Sequence, residues 1–266
     1  PAVSNIVDNT VYSHQGLSYG GLLLTRDIKF KDVIIVWKEI LNNLSSNGIS
    51  RLVLKTIPKI YHLLPSDEID YLLFKTKATL IRRDVLSVIK LDDKKFSKNR
   101  IEGVKRGIKH QLIVKEENDF SEFWNKILIP NLRSKHQVNP VHTLEEIHYL
   151  KNKFKDNIRQ FNVYSNNEIV AGTTIFETNK VVHSQYISAN LNKNQLGSLD
   201  FLYDHLLNKI FVNKDYFDFG CSNENEGQHI NSGLLFWKEG FGARSISHDF
   251  YSVETKNYIE LNDVML

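Results

Sequence analysis

A single cysteine, Cys221, stands in the 266 residues. That excludes an internal disulfide and leaves too few thiolates for a structural zinc site, so a reducing cytoplasm is the expected compartment. No segment approaches the roughly 18 consecutive apolar residues of a membrane span, and no signal-peptide pattern opens the chain. Excess charge is scarce: 34 basic against 31 acidic residues leave a net +3. That balance argues against a large dedicated nucleic-acid surface while allowing a local anion site. Metal-ligand spacing is missing as well. His136 and His142 frame a loop with no acidic partner nearby, so no metal is assigned and both are read as substrate contacts.

What is present reads as two domains of modest size. Asn9 to Leu24 holds two β-prone runs broken by Gly16, Gly20 and Gly21, with His14, Gln15 and Tyr19 among the glycines. Asp32 is placed to cap a helix whose stripe is Val33, Val36, Trp37, Ile40, Leu41 and Leu44, ending at Asn47-Gly48. Arg51 to Ile57 follows as a strand, and a strand, helix and strand in that order predict a parallel pair. Pro65 to Glu68 opens a short helix and Ala78 to Leu91 is β-prone. Lys94 to His110 is the most basic stretch, its helix marked by Ile101, Val104 and Ile108 and weakened by Gly103 and Gly107. The domain boundary is placed there, giving 1–93 and 94–266.

The second half opens with a short strand, Leu112 to Lys115, and a helix capped by Asp119. Thr143 and Glu146 form a capping box ahead of another helix. Phe161 to Tyr164, Glu168 to Glu177 and Val181 to Ser188 are joined by Asn166-Asn167 and Asn179-Lys180, which predicts an antiparallel meander. A helix with Leu199, Leu202, Leu206, Leu207 and Ile210 comes next, then the aromatic strand DYFDFG, a polar loop from Ser222 to Gly227, and a helix stopped by Gly240. Ser245 to Val253 and Tyr258 to Leu266 are read as closing strands. The order is α+β around mixed sheets.

Several positions have chemical potential. Gln195-Leu196-Gly197-Ser198 heads a helix whose unpaired N–H groups suit a pyrophosphate, or is an ordinary capped start with Ser198 as cap. Asp200, just inside, would repel phosphate and suits an amine. His183, Gln185 and Tyr186 lie on the strand before that loop, and His14 is a candidate to face them from the other half. Histidine can take a proton from an ammonium at neutral pH, although a lone strand histidine is as readily a hydrogen-bonded core residue. Arg100 and Lys105 are phosphate candidates or a solvated helix face. Cys221 is read as a small buried apolar residue.

Taken together, the strings HQGLSYGG, NRIEGVKRG, HSQYIS, QLGSLD, FDFG and WKEGF resemble the GNAT superfamily, and within it the Fem-type branch of two tandem domains. The combination is most similar to the subgroup that acylates amino sugars attached to nucleotides. One departure is plain: the GNAT pyrophosphate pattern asks for Gln or Arg before, and a small residue after, its central glycine, and Asn194 and Leu199 stand there. The resemblance also implies that on the order of 50 residues precede Pro1.

It implies tandem GNAT-like domains and an N-acyltransferase moving an acyl group from acyl-CoA to the amine of a nucleotide-linked amino sugar by direct attack. His14, His183, Gln185 and Asp200 would orient the amine or relay its proton. Tyr186, Ile187, Gln195, Gly197, Ser198 and Lys238 would hold coenzyme A, and Gln15, Tyr19, Arg100, His136, His142 and Asn225 the acceptor. One alternative is an aminoacyl-tRNA-dependent transferase extending a peptidoglycan peptide, disfavoured by the modest charge and the lack of a long heptad-bearing hairpin. The other is a non-catalytic binding module of the same fold. The acyl chain, the sugar and the state of assembly, homo-oligomer included, stay open.

Overall fold

A computed structural model describes residues 4–14 and 16–265, apart from the side chains of Ser4, Asn5, Ile6 and His136. Strands β1 (Ser4–Val7) and β2 (Thr10–Ser13) form a hairpin around Asp8 and Asn9 at φ 49° and 56°, the left-handed pair of a tight two-residue turn. Helix α1 (Phe30–Ser46) buries Val33, Ile34, Trp37 and Leu41. It starts before Asp32, which therefore sits in the first turn, where it favours the helix dipole. Then come β3 (Arg51–Lys55), α2 (Glu68–Lys75) and β4 (Thr79–Lys90). Helix α3 (Lys98–Lys109) is capped by Ser97, and β5 (Ile113–Glu117) follows.

Helix α4 begins as Ser121–Phe123, passes through a π turn at Trp124–Leu128 and runs on as Ile129–His136. The expected capping box opens α5 (Leu144–Lys153), with both the Thr143 and Glu146 side-chain bonds formed. Strands β6 (Ile158–Ser165), β7 (Glu168–Glu177) and β8 (Val181–Ala189) make the antiparallel meander. Helix α6 (Ser198–His205) continues as a π turn to Ile210. The chain ends with β9 (Tyr216–Cys221), α7 (Ser232–Glu239) and β10 (Arg244–Glu254). Thr255–Leu261 is a 3-10 helix where a strand was expected. Its Tyr258 and Leu261, three residues apart, both pack into the core that contains Trp37 and Leu41 of α1, a spacing that a strand cannot put on one face.

The chain forms two compact units, one of Pro1–Val85, Asn223–His229 and Ile246–Leu266, the other of Leu86–Ser222 and Ile230–Ser245. In the first, β1 and β2 are antiparallel, β2 and β3 parallel through the α1 crossover, and β3 and β10 antiparallel. In the second, the sheet order is β4-β9-β8-β7-β6-β5, with only the β8–β9 pair parallel. One face of that sheet is covered by Leu202, Tyr203, Leu206 and Leu207 of α6, the other by Phe120, Phe123, Trp124 and Ile127 of α4. The two glycines of α3 have a packing cause: a Cβ at Gly103 would overlap the Asp200 carboxylate, and one at Gly107 would overlap Phe201. They let α3 lie close against α6. Among the described residues no helix is long and apolar enough to cross a membrane.

Candidate active site

The parallel pairing of β8 with β9 is confined to Val181–His183 against Tyr216–Asp218, although β8 runs on to Ala189 and β9 to Cys221. The strands therefore part at His183 and Asp218. Gly220, at φ 72°, bends β9 just beyond this point, and its pairing with β4 is irregular between Leu86 and Val88. Ser184 to Ala189 are left as a strand edge on the β9 side, with backbone groups available to an extended ligand.

At the fork, His183 Nδ1 lies 3.0 Å from Asp218 Oδ2. The other carboxylate oxygen of Asp218 accepts from the Gly220 backbone N–H at 2.7 Å. Asp218 is 2 % exposed. A buried carboxylate on Nδ1 selects the tautomer that leaves Nε2 as the acceptor nitrogen and fixes the ring's orientation. Gly220 sits against the ring: a Cβ there would lie 3.4 Å from His183 Cε1. Lys238 closes the same end of β9, donating to the Gly220 and Cys221 carbonyls at 3.0 and 2.7 Å. Burial pushes its ammonium down to about 8, against the raising influence of Cys221 and Asp218.

Gln185 occupies an irregularity of β8. Register partners jump from Ile175↔Ser184 to Thr174↔Tyr186, so Gln185 is the extra residue of a bulge. Alternation flips across it. Ser184 bonds Tyr203 of α6 at 2.6 Å, whereas Tyr186 packs edge-on to Trp124 of α4 at 5.0 Å. The bulge therefore brings Tyr186 to the His183 side of β8, and the Gln185 side chain hydrogen-bonds the Tyr186 hydroxyl there. The Tyr186 hydroxyl accepts from the His142 backbone N–H at 3.2 Å and lies 2.7 Å from its Nδ1. Burial raises the Tyr186 phenol and lowers the His142 imidazole. Ile187 turns to the α6 side and packs on that core.

At the head of α6, Gln195 is exposed while Gly197 and Ser198 are buried. The Ser198 hydroxyl has no hydrogen-bond partner among the described residues. Gly197 lies against the Gly103 carbonyl and the Arg106 side chain. Asp200 is engaged within the protein: Arg100 Nη1 donates to it at 2.5 Å and Trp237 Nε1 at 3.1 Å. Burial raises its carboxyl, with Arg100 pulling the other way. Arg100, Asp200 and Trp237 thus tie α3, α6 and α7 together.

His14, Tyr19 and Asn225 belong to the first unit. His14 lies at φ 56° with Nδ1 2.5 Å from Ser13 Oγ, Tyr19 packs on Tyr61 at 4.7 Å, and Asn225 is exposed at φ 48°. Gln15 and the His136 side chain lie outside the described residues. Asp218 was missed by sequence reasoning. Its signal was present, a lone acid between Phe217 and Phe219 in a strand of core aromatics, where a carboxylate needs a partner.

No family model matches the sequence, and no curated protein matches it. Solved structures do. FemX superposes with a TM-score of 0.68 at 8% identity over 98% of this chain and 86% of its own. L-PGS from Bacillus licheniformis gives 0.62 at 11% identity over 98% and 82%. A tandem GNAT protein from the clavulanic acid biosynthesis pathway gives 0.50 at 9% over 93% and 75%. The fold is GNAT-like and resembles those of FemX and of the tandem GNAT protein. At these identities the likeness is one of fold. Within this GNAT-like fold the fork, the His183–Asp218 pair and the α6 head all lie in the second unit.

Proposed function

We propose that the protein is an N-acyltransferase that moves an acyl group from a CoA thioester to the amine of a nucleotide-linked amino sugar by direct attack, with the second unit, which makes up most of residues 94–266, as the acyl-CoA side. The observation that carries this is the fork between β8 and β9 with a carboxylate-oriented histidine at its apex. Acyl-CoA would supply an activated carbonyl and a thiolate leaving group. The residues present suit it: the open Ser184–Ala189 edge matches an extended amide-bearing arm. The buried, unpartnered Ser198 hydroxyl and nearby Arg106 at the α6 head suit phosphate oxygens.

His183 Nε2 is the base that accepts the proton of the attacking ammonium, and Asp218 holds the imidazolium. A backbone N–H of the β8 edge polarises the acyl oxygen. Lys238 holds the Gly220–Cys221 end of β9 in place. Tyr186 and His142 line the same face of β8 as His183 and are assigned to the acceptor.

The test is thiol release from acetyl-CoA and longer acyl-CoAs against a panel of nucleotide amino sugars, with His183→Ala as control. The unmodified protein should release thiol with at least one acceptor, and His183→Ala should lower kcat about 10²–10⁴-fold. Correctly folded protein that releases none with any pairing sinks the proposal.

A further inference from the structure

The first unit contains a cavity of about 520 Å³, within the ~300–1,000 Å³ range of small-molecule sites. Leu22, Leu24, Leu54 and Ile57 make its walls aliphatic. Leu23, Leu63 and Leu64 also line it and are 87, 61 and 49% exposed, so the apolar surface continues out through the mouth. Contiguous exposed aliphatic residues around a cavity mark a place that receives an apolar ligand.

Polar groups punctuate this lining unevenly. Asp70 is held by Lys59, and Glu68 accepts from Ser66 Oγ at 2.9 Å. Arg26 lines the cavity, is exposed, and has no ion-pair partner among the described residues. His62 lines it too, and its Nδ1 is buried without a hydrogen-bond partner among the described residues, the kind of unmet polar atom that a ligand or an ordered water satisfies. The lining therefore offers one uncommitted cation beside a leucine-walled space. A diphosphate would meet the Glu68 and Asp70 carboxylates with a single arginine to offset them.

We propose that this cavity binds an anionic amphiphile, a single aliphatic chain along the leucine walls with a carboxylate or phosphate head at Arg26. The site is independent of acyl transfer, and its test needs no acyl donor. Binding of dodecanoate, dodecyl phosphate and dodecanol to the full chain is measured by calorimetry below their micellar concentrations, with thermal unfolding as the check on folding. The two anions should bind more tightly than the alcohol. Arg26→Ala should weaken the anions roughly tenfold or more while leaving dodecanol nearly unchanged. Ile57→Trp, which fills the cavity, should abolish binding of all three. If it does not fold, Leu63→Asp at the exposed mouth should have the same effect.

Sedimentation with phosphatidylglycerol against phosphatidylcholine vesicles separates the sources. Selective binding to the former that Leu63→Asp removes identifies a lipid headgroup, and binding of the free amphiphile alone identifies a soluble anion. Failure of the unmodified chain to bind either anion overturns the proposal. So does binding that survives both Arg26→Ala and the cavity-blocking variant.

Discussion

Lys238 offers a measurement in which the sign as well as the size follows from the structure. Its ammonium is 1% exposed and held by two backbone carbonyls, and burial lowers it from 10.5 to about 8. Between those values the unfolded chain keeps a proton on this lysine that the folded chain has released. Stability therefore rises as pH increases through that window. At about 1.4 kcal/mol for each pH unit, the full span amounts to about 3 kcal/mol. The readout is a difference between two proteins, which cancels the titration of the groups they share. Urea unfolding of the unmodified protein and of Lys238→Met is followed from pH 7 to 10.5. The unmodified protein should gain on the variant by up to about 3 kcal/mol between pH 8 and 10.5. Parallel pH profiles for the two proteins would refute a buried, weakened lysine. A gap that narrows with rising pH would mean that the carbonyl pair stabilises the ammonium more than burial costs it.

Three further outcomes are expected. Asp218→Asn keeps a hydrogen-bonding group of the same shape but no longer selects the basic Nε2 tautomer of His183. It should lower kcat about 10²–10⁴-fold with little change in KM; an unchanged kcat and pH–rate profile would remove His183 from the role of base. Gly103→Ala drives a methyl into the Asp200 carboxylate and should cost about 1–3 kcal/mol or more in denaturant unfolding, whereas a neutral result would mean that α3 does not pack closely on α6. Thr143→Ala removes half of the α5 capping box and should cost about 1 kcal/mol, checked by the shift in urea midpoint, with no effect on thiol release.

What the sequence determined by itself was local. The Thr143–Glu146 box and the Asn166-Asn167 turn draw their free energy from residues a few positions apart, and each appears in the structure where the spacing puts it; the α1 stripe does so in part, with Ile34 buried in place of Val36, which is exposed. The register of β8 was beyond its reach. Alternation along HSQYIS puts Tyr186 on the face opposite His183, but the bulge is set by where β7 pairs, and it brings Tyr186 round to the His183 side.

The same holds for partners distant in the chain. Arg100 reads as a phosphate ligand until α3 and α6 are packed together through Gly103, whereupon Asp200 takes its charge. Asp218 reads as an acid among core aromatics until β8 and β9 run parallel for three residues and set it against His183. Short-range preferences are additive along a chain and legible in it. The placing of a charge beside its partner depends on which elements meet, and only the tertiary structure decides that.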